Sequence, residues 1–118
     1  MPRGAVLIVD DWPNQRRLIQ RILAPLGVET LTAADGEEAL ALLRQHPVAL
    51  VVSDREMPRL GGEQLVAQMR LDPDLADIPV IIVTGSPDWP ADAADPDVLL
   101  PKPCDANVLR GHVKRFLA

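Results

Sequence analysis

Short apolar runs rich in β-branched residues punctuate the chain at 6–9, 28–33, 49–53, 80–83 and 98–100. They are continuous rather than alternating, which predicts strands buried mostly on both faces. Between them, apolar positions recur at helical spacing. Over 14–24 these are Leu18, Ile19, Ile22 and Leu23, and Pro25 and Gly27 close the segment. Asp35 opens the next helix with Glu38 three residues on, a capping-box arrangement. Ala39, Leu40, Leu42 and Leu43 supply its buried stripe. Residues 62–71 carry Leu65, Val66 and Met69, and Asp105 caps a last helix bearing Val108, Leu109, Val113, Phe116 and Leu117. Gly111 weakens that last helix by ~1 kcal/mol relative to Ala.

Strands alternating with helices predict an α/β fold with a parallel sheet and right-handed crossovers. Five such units over residues 1–118, read as one domain, suit a doubly wound five-stranded sheet in the flavodoxin-like order 2-1-3-4-5. One stretch breaks the alternation. Residues 85–97, GSPDWPADAADPD, stand where the helix between strands 4 and 5 belongs, yet contain Pro87, Pro90 and Pro96. Proline is poorly tolerated inside a helix, so this fourth helix is expected to be shortened or missing. At most a turn around 91–95 fits.

Composition narrows the function classes. Apolar residues make up 47% of the 118 and charged residues 25%, which is ordinary for a soluble globular domain. With one Phe and no Tyr the core must be mainly aliphatic. The net charge of −5 argues against nonspecific nucleic-acid binding, which needs a basic face. No apolar run approaches the ~20 residues of a membrane span, and the N-terminus lacks a signal-peptide pattern. A lone Cys104 excludes an internal disulfide and fits a reducing cytoplasm, the expected location. It reads as a core or surface thiol. His46 and His112 read as solvent-exposed helix residues, not ligands, and Arg16, Arg17 and Arg21 as a solvated helix face or a partner contact.

Four of the strand runs end in chemistry. The first leads into Asp10 and Asp11, the third into Asp54, the fourth into Thr84 and the fifth into Lys102. In a parallel sheet these ends share one edge, where ligands bind at the switch point between strands 1 and 3. Three carboxylates ~5 Å apart repel by roughly 3 kcal/mol per pair at an effective dielectric near 20. Lys102 offsets part of that, and a hard divalent cation would offset the rest. Mg²⁺ prefers oxygen ligands and combines one or two carboxylates with water and phosphate oxygens. One carboxylate would then be free to act as a nucleophile toward phosphorus, with Lys102 and Thr84 on the phosphoryl oxygens.

With Asp10-Asp11, Asp54 followed by Met57-Pro58 and Gly61-Gly62, Thr84-Gly85 and Lys102-Pro103 in this order, the chain resembles the receiver (CheY-like) domain of two-component response regulators along essentially its whole length. The resemblance implies that Asp54 accepts the phosphoryl group from a histidine kinase or histidine phosphotransfer protein. It implies that Asp11, Asp54 and the Glu56 backbone carbonyl bind Mg²⁺ directly, with Asp10 reaching the ion through water. Lys102 and Thr84 would hold phosphoryl oxygens, and the Lys102-Pro103 peptide would be cis. The domain would not be an enzyme, apart from catalysing its own phosphorylation and dephosphorylation. Its output would go to a downstream protein, with a homodimer as a further option.

The chain also departs from the family. The aromatic that usually stands three residues before the lysine is Leu99, Cys104 replaces a frequent Phe, and Gly61 replaces a frequent Asp or Asn. Lys102 follows Thr84 by eighteen positions, about one helical turn fewer than is common. Output is therefore expected to run through the 85–97 loop, with Trp89 either covering the sheet or anchoring a partner. The alternative is a phosphorylation-independent pseudo-receiver. A haloacid-dehalogenase-type phosphatase would need a second Asp where Trp12 stands, and the acidic first loop repels a flavin phosphate.

Overall fold

A computed structural model describes residues 4–86 and 88–118; Met1, Pro2, Arg3 and Pro87, with the expectations placed on them, lie outside the described residues. The strands are β1 (Ala5–Val9), β2 (Thr30–Ala33), β3 (Val48–Asp54), β4 (Val80–Thr84) and β5 (Val98–Pro101). The helices are α1 (Pro13–Leu23), α2 (Gly36–Gln45), α3 (Gly62–Leu71) and α4 (Ala106–Leu117). All strand pairs are parallel and the order is β2-β1-β3-β4-β5, as the alternation predicts. β1, β3 and β4 are buried at every position.

Side-chain alternation along these strands feeds two aliphatic layers. Leu7, Val9, Val51 and Ile82 meet Ala39, Leu40 and Leu43 of α2 and Leu65, Val66 and Met69 of α3. On the other face Val6, Ile8, Leu50, Val52, Ile81 and Val83 meet Ile19, Ile22 and Leu23 of α1 and Leu109 and Val113 of α4. Burying one such side chain fully contributes ~1.5–3 kcal/mol.

Helix ends follow local chemistry. Asp35 Oδ1 accepts the Glu38 N–H at 2.9 Å, and Glu38 Oε2 accepts the Ala34 N–H at 3.1 Å. The capping box therefore closes on Ala34 rather than on the Asp35 N–H. Asp105 Oδ1 caps α4 through the Val108 N–H at 3.0 Å. After α1, Pro25 sits in a 3-10 turn over Ala24–Leu26, and Gly27 ends it at φ 68°, a left-handed conformation that glycine adopts without strain.

Some expectations need correction. Leu18 and Val108 fall at helical spacing but are each 47% exposed, at the rim of their stripes. β2 starts at Thr30 rather than at position 28. His46 is exposed as expected, whereas His112 is half-buried, with Nδ1 3.1 Å from Arg115 Nη2.

Among the described residues no helix joins β4 to β5; the connection holds only a turn at 91–93. It is anchored at its far end by Asp97. The Asp97 N–H donates to Val80 O at 2.9 Å, and Asp97 Oδ2 accepts from Val80 N–H at 2.7 Å and Arg70 Nη2 at 2.8 Å. Trp89, Ala94 and Leu99 are half-buried against the α2–α3 layer, covering the sheet where a helix would lie. Trp89 Nε1 donates to Ala94 O at 3.0 Å, so its polar edge is satisfied inside the loop.

Candidate functional site

The parallel register carries the C-terminal ends of β1, β3, β4 and β5 to one edge. Asp54 ends β3 opposite Val83, and Thr84 ends β4 opposite Pro101. The Lys102 N–H donates to Thr84 O at 2.9 Å, and the Asp10 N–H to Ala33 O at 3.0 Å. Sheet hydrogen bonds thus fix four of the predicted site residues at their backbones.

One carboxylate oxygen from each of Asp10, Asp11 and Asp54 lies within 4.8 Å of the others. Asp10 and Asp54 are buried, at 5% exposure each. Asp10 Oδ1 accepts the Trp12 N–H at 2.9 Å, and Arg16 Nη1 donates to Asp10 O at 2.7 Å. The carboxylate therefore also caps the start of α1, where Trp12 offers no side-chain cap. Burial pushes the Asp10 carboxyl above its ordinary pKa, the charges of Asp54 and Asp11 add to this, and Trp12 N–H and Lys102 oppose it.

Lys102 Nζ lies 2.8 Å from Asp54 Oδ1, and the Arg55 N–H donates to the same oxygen at 2.8 Å. Among the described residues no donor bonds Oδ2, which leaves that oxygen for an electrophile or a cation. Burial alone would lower the Lys102 pKa. It is outweighed by the hydrogen bond to Asp54 and the charges of Asp54, Asp10 and Glu56, so the ammonium is held above its ordinary range. The Lys102-Pro103 peptide is cis, as the resemblance implied.

Asp11 Oδ1 is buried without a hydrogen-bond partner among the described residues. A buried carboxylate oxygen without a donor is costly. Three clustered carboxylates, all hard oxygen donors, suit a hard divalent cation such as Mg²⁺.

Thr84 is fully buried and faces its own loop. Its hydroxyl lies 3.2 Å from Glu56 Oε1 and 3.0 Å from Ser86 O, and accepts the Ser86 N–H at 3.0 Å. Glu56 is exposed. Leu99 packs in the α2–α3 layer and presents no aromatic ring. Cys104 is half-buried, and burial, with the charge of Asp105, pushes its thiol pKa up, which fits an unreactive thiol.

Two residues beside the cluster escaped the sequence reading. Arg55, directly after Asp54, is only 13% exposed; it donates from Nη1 to Ser86 O at 2.7 Å, reaches Glu63 Oε1 at 3.3 Å, and lies 5.1 Å from the Trp89 ring centroid. Arg59 adopts a left-handed φ of 65° and pairs with buried Asp35, its Nε donating to Oδ2 at 2.8 Å. The Gly36 N–H donates to Leu60 O at 2.9 Å. These bonds pin the β3–α3 loop beside the acidic cluster. A basic residue next to Asp54 carries no periodic signal, and its acceptors lie 31 and 8 residues away.

Residues 6–114 match the response regulator receiver domain. The chain is 35% identical over 116 residues to chemotaxis protein CheY of Pseudomonas aeruginosa, covering 94% of each. It is 34% identical over 88 residues to the probable transcriptional regulator ycf27 of Porphyridium aerugineum, covering 75% of this chain and 35% of that protein. The chain thus spans about a third of the length of the ycf27 regulators it matches. The signal receiver domain of a signal transduction histidine kinase from Syntrophus aciditrophicus superposes with a TM-score of 0.89 at 36% identity, covering 98% of this chain and 90% of that one. The response regulator TrrA of Thermotoga maritima, solved in complex with Mg²⁺ and BeF, gives 0.85 at 30% identity over 97% of this chain and 99% of that one.

Proposed function

We propose, for a chain that belongs to the response regulator receiver domain family, a phosphoacceptor role: Asp54 takes a phosphoryl group from a histidine kinase or histidine phosphotransfer protein and thereby changes binding to a downstream protein. The observation that carries this reading is Lys102 Nζ at 2.8 Å from Asp54 Oδ1, inside a cluster whose carboxylates lie within 4.8 Å. A cation fixed beside a buried nucleophile, next to an acidic cluster, is the charge arrangement that phosphoryl transfer uses.

In this reading Asp54 Oδ2 forms the bond to phosphorus while the bond from phosphorus to the donor histidine nitrogen breaks. The electron pair returns to the imidazole, which takes up a proton. Lys102 stays within reach of the developing charge, and Thr84 turns its hydroxyl from Glu56 and Ser86 toward a phosphoryl oxygen. Asp10, Asp11, Asp54 and the Glu56 carbonyl would hold Mg²⁺, which supplies charge neutralisation at the phosphoryl oxygens when bound. Phosphorylation exchanges the single carboxylate charge of Asp54 for a phosphoryl group carrying about 1.5–2 negative charges on three acceptor oxygens, enough to reorganise neighbouring loops. The domain acts in the cytoplasm, alone or as part of a longer regulator of the kind the ycf27 relatives represent.

A second reading, a pseudo-receiver that binds partners without phosphorylation, is favoured by Leu99 and by a β4–β5 connection that forms no helix among the described residues. One experiment separates the two. Incubation with a small phosphodonor and Mg²⁺, followed by phosphate-affinity electrophoresis, should reveal an acid-stable, base-labile phosphoprotein that Asp54→Asn abolishes. No label on wild type, or equal label on Asp54→Asn, would overturn the phosphoacceptor reading.

A further inference from the structure

Arg55 joins the phosphoacceptor to the loop that replaces a helix. Its main-chain N–H donates to Asp54 Oδ1, its guanidinium donates to Ser86 O at the start of that loop, and its Cζ stands 5.1 Å from the Trp89 ring centroid. It is the one described cation stacked on this tryptophan, and at 13% exposure it is shielded enough for the contact to be energetically meaningful.

Ser86 O is a shared acceptor, taking the Thr84 O–H at 3.0 Å and Arg55 Nη1 at 2.7 Å. A hydroxyl has one proton. If Thr84 gives it to a phosphoryl oxygen, both Glu56 Oε1 and Ser86 O lose that donor, and Arg55 alone holds the loop's first carbonyl. At the same moment the residue preceding Arg55 exchanges its carboxylate charge for a phosphoryl group, a net gain of up to about one negative charge spread over three new acceptor oxygens. The guanidinium, held by the Trp89 face, Ser86 O and Glu63 Oε1, is drawn by the new phosphoryl charge and leaves the Trp89 face. Leu99, with no quadrupole and no polar edge, has no means of reporting the change.

We propose that Arg55 is the positioning residue that transmits phosphorylation of Asp54 to residues 88–97, with Trp89 as the responding aromatic. The inference rests on the phosphoacceptor reading but makes a separate claim, that the signal passes through one guanidinium.

The two tryptophans, Trp12 and Trp89, allow both claims to be read in one sample. In fluorotryptophan-labelled protein, fluorine NMR should show both resonances shifting when Mg²⁺ and beryllofluoride are added. In Arg55→Gln the Trp12 resonance should still shift at the same concentrations, while the Trp89 shift is lost. Arg55→Lys, which keeps the charge but not the planar fork, should behave like Arg55→Gln. A Trp89 shift that survives in Arg55→Gln, or is restored in Arg55→Lys, would overturn the inference while leaving the phosphoacceptor reading intact. A wild-type Trp12 resonance indifferent to beryllofluoride would overturn that reading and this inference with it.

Discussion

Replacing Asp10 by Asn should stabilise the metal-free protein. Asn keeps the Oδ1 acceptor that the Trp12 N–H uses at 2.9 Å, so the cap on α1 survives and only the charge goes. That charge lies within 4.8 Å of two others. At this separation each pair repels by about 3–4 kcal/mol at an effective dielectric near 20. Lys102 offsets one interaction, and half-exposed Asp11 is screened by solvent, so the net gain should be about 1–3 kcal/mol. At about 4 °C per kcal/mol for a chain of this size, Tm should rise by about 4–12 °C. Because the Asp10 pKa is raised from its ordinary 3.8, the folded state penalises the charged form. The penalty is fully present above the raised value and absent below 3.8. The gain from Asp10→Asn should therefore be full at neutral pH and vanish below about pH 4. Mg²⁺ should raise the wild-type Tm by linkage and the variant's by less. Calorimetry with EDTA and with Mg²⁺ checks both. An Asp10→Asn Tm at or below wild type in EDTA at neutral pH would refute the repulsion argument.

Three further outcomes follow from the packing. A Cβ at Gly62 would lie 2.8 Å from Asp54 O and 2.9 Å from Arg55 Cα, both backbone atoms, so Gly62→Ala should cost about 1–3 kcal/mol despite alanine's helix propensity; denaturant titration reads the loss. Gly111 has nothing within 4 Å and is exposed in α4, so Gly111→Ala should gain up to about 1 kcal/mol in the same titration. The Glu38 N–H first, and then Arg59, hold the Asp35 carboxyl below its ordinary 3.8 against the effect of burial. Its stabilisation is present above 3.8 and lost as pH falls through the lower folded value. Asp35→Ala should therefore cost about 1–2 kcal/mol at neutral pH and progressively less in acid, with an equal cost at every pH contradicting the assignment.

The fold was legible because β-branched runs and helical spacing agree along nearly the whole chain. The placement of the candidate site was legible because its residues stand directly at strand ends, so a parallel sheet brings Asp10, Asp11, Asp54, Thr84 and Lys102 to one edge. That no helix joins β4 to β5 among the described residues was legible from prolines. Periodicity failed at Leu18 and Val108, because a stripe marks which side of a helix faces inward but not how far the neighbouring layer reaches around it. It was also silent on Arg55, whose importance lies in acceptors supplied by other elements.

The β4–β5 connection is fastened at both ends, by Arg55 to Ser86 O and by Asp97 to Val80 and Arg70. Between those fasteners, strand pairing and the acidic cluster make no demand on its length. Doubling a flexible loop adds only about 0.6 kcal/mol of closure entropy. The segment is thus an exchangeable cassette: a helix, a longer loop or a binding peptide can stand there while β4, β5 and the strand-end chemistry stay as they are, provided it supplies the apolar cover that Trp89 and Ala94 give the α2–α3 layer.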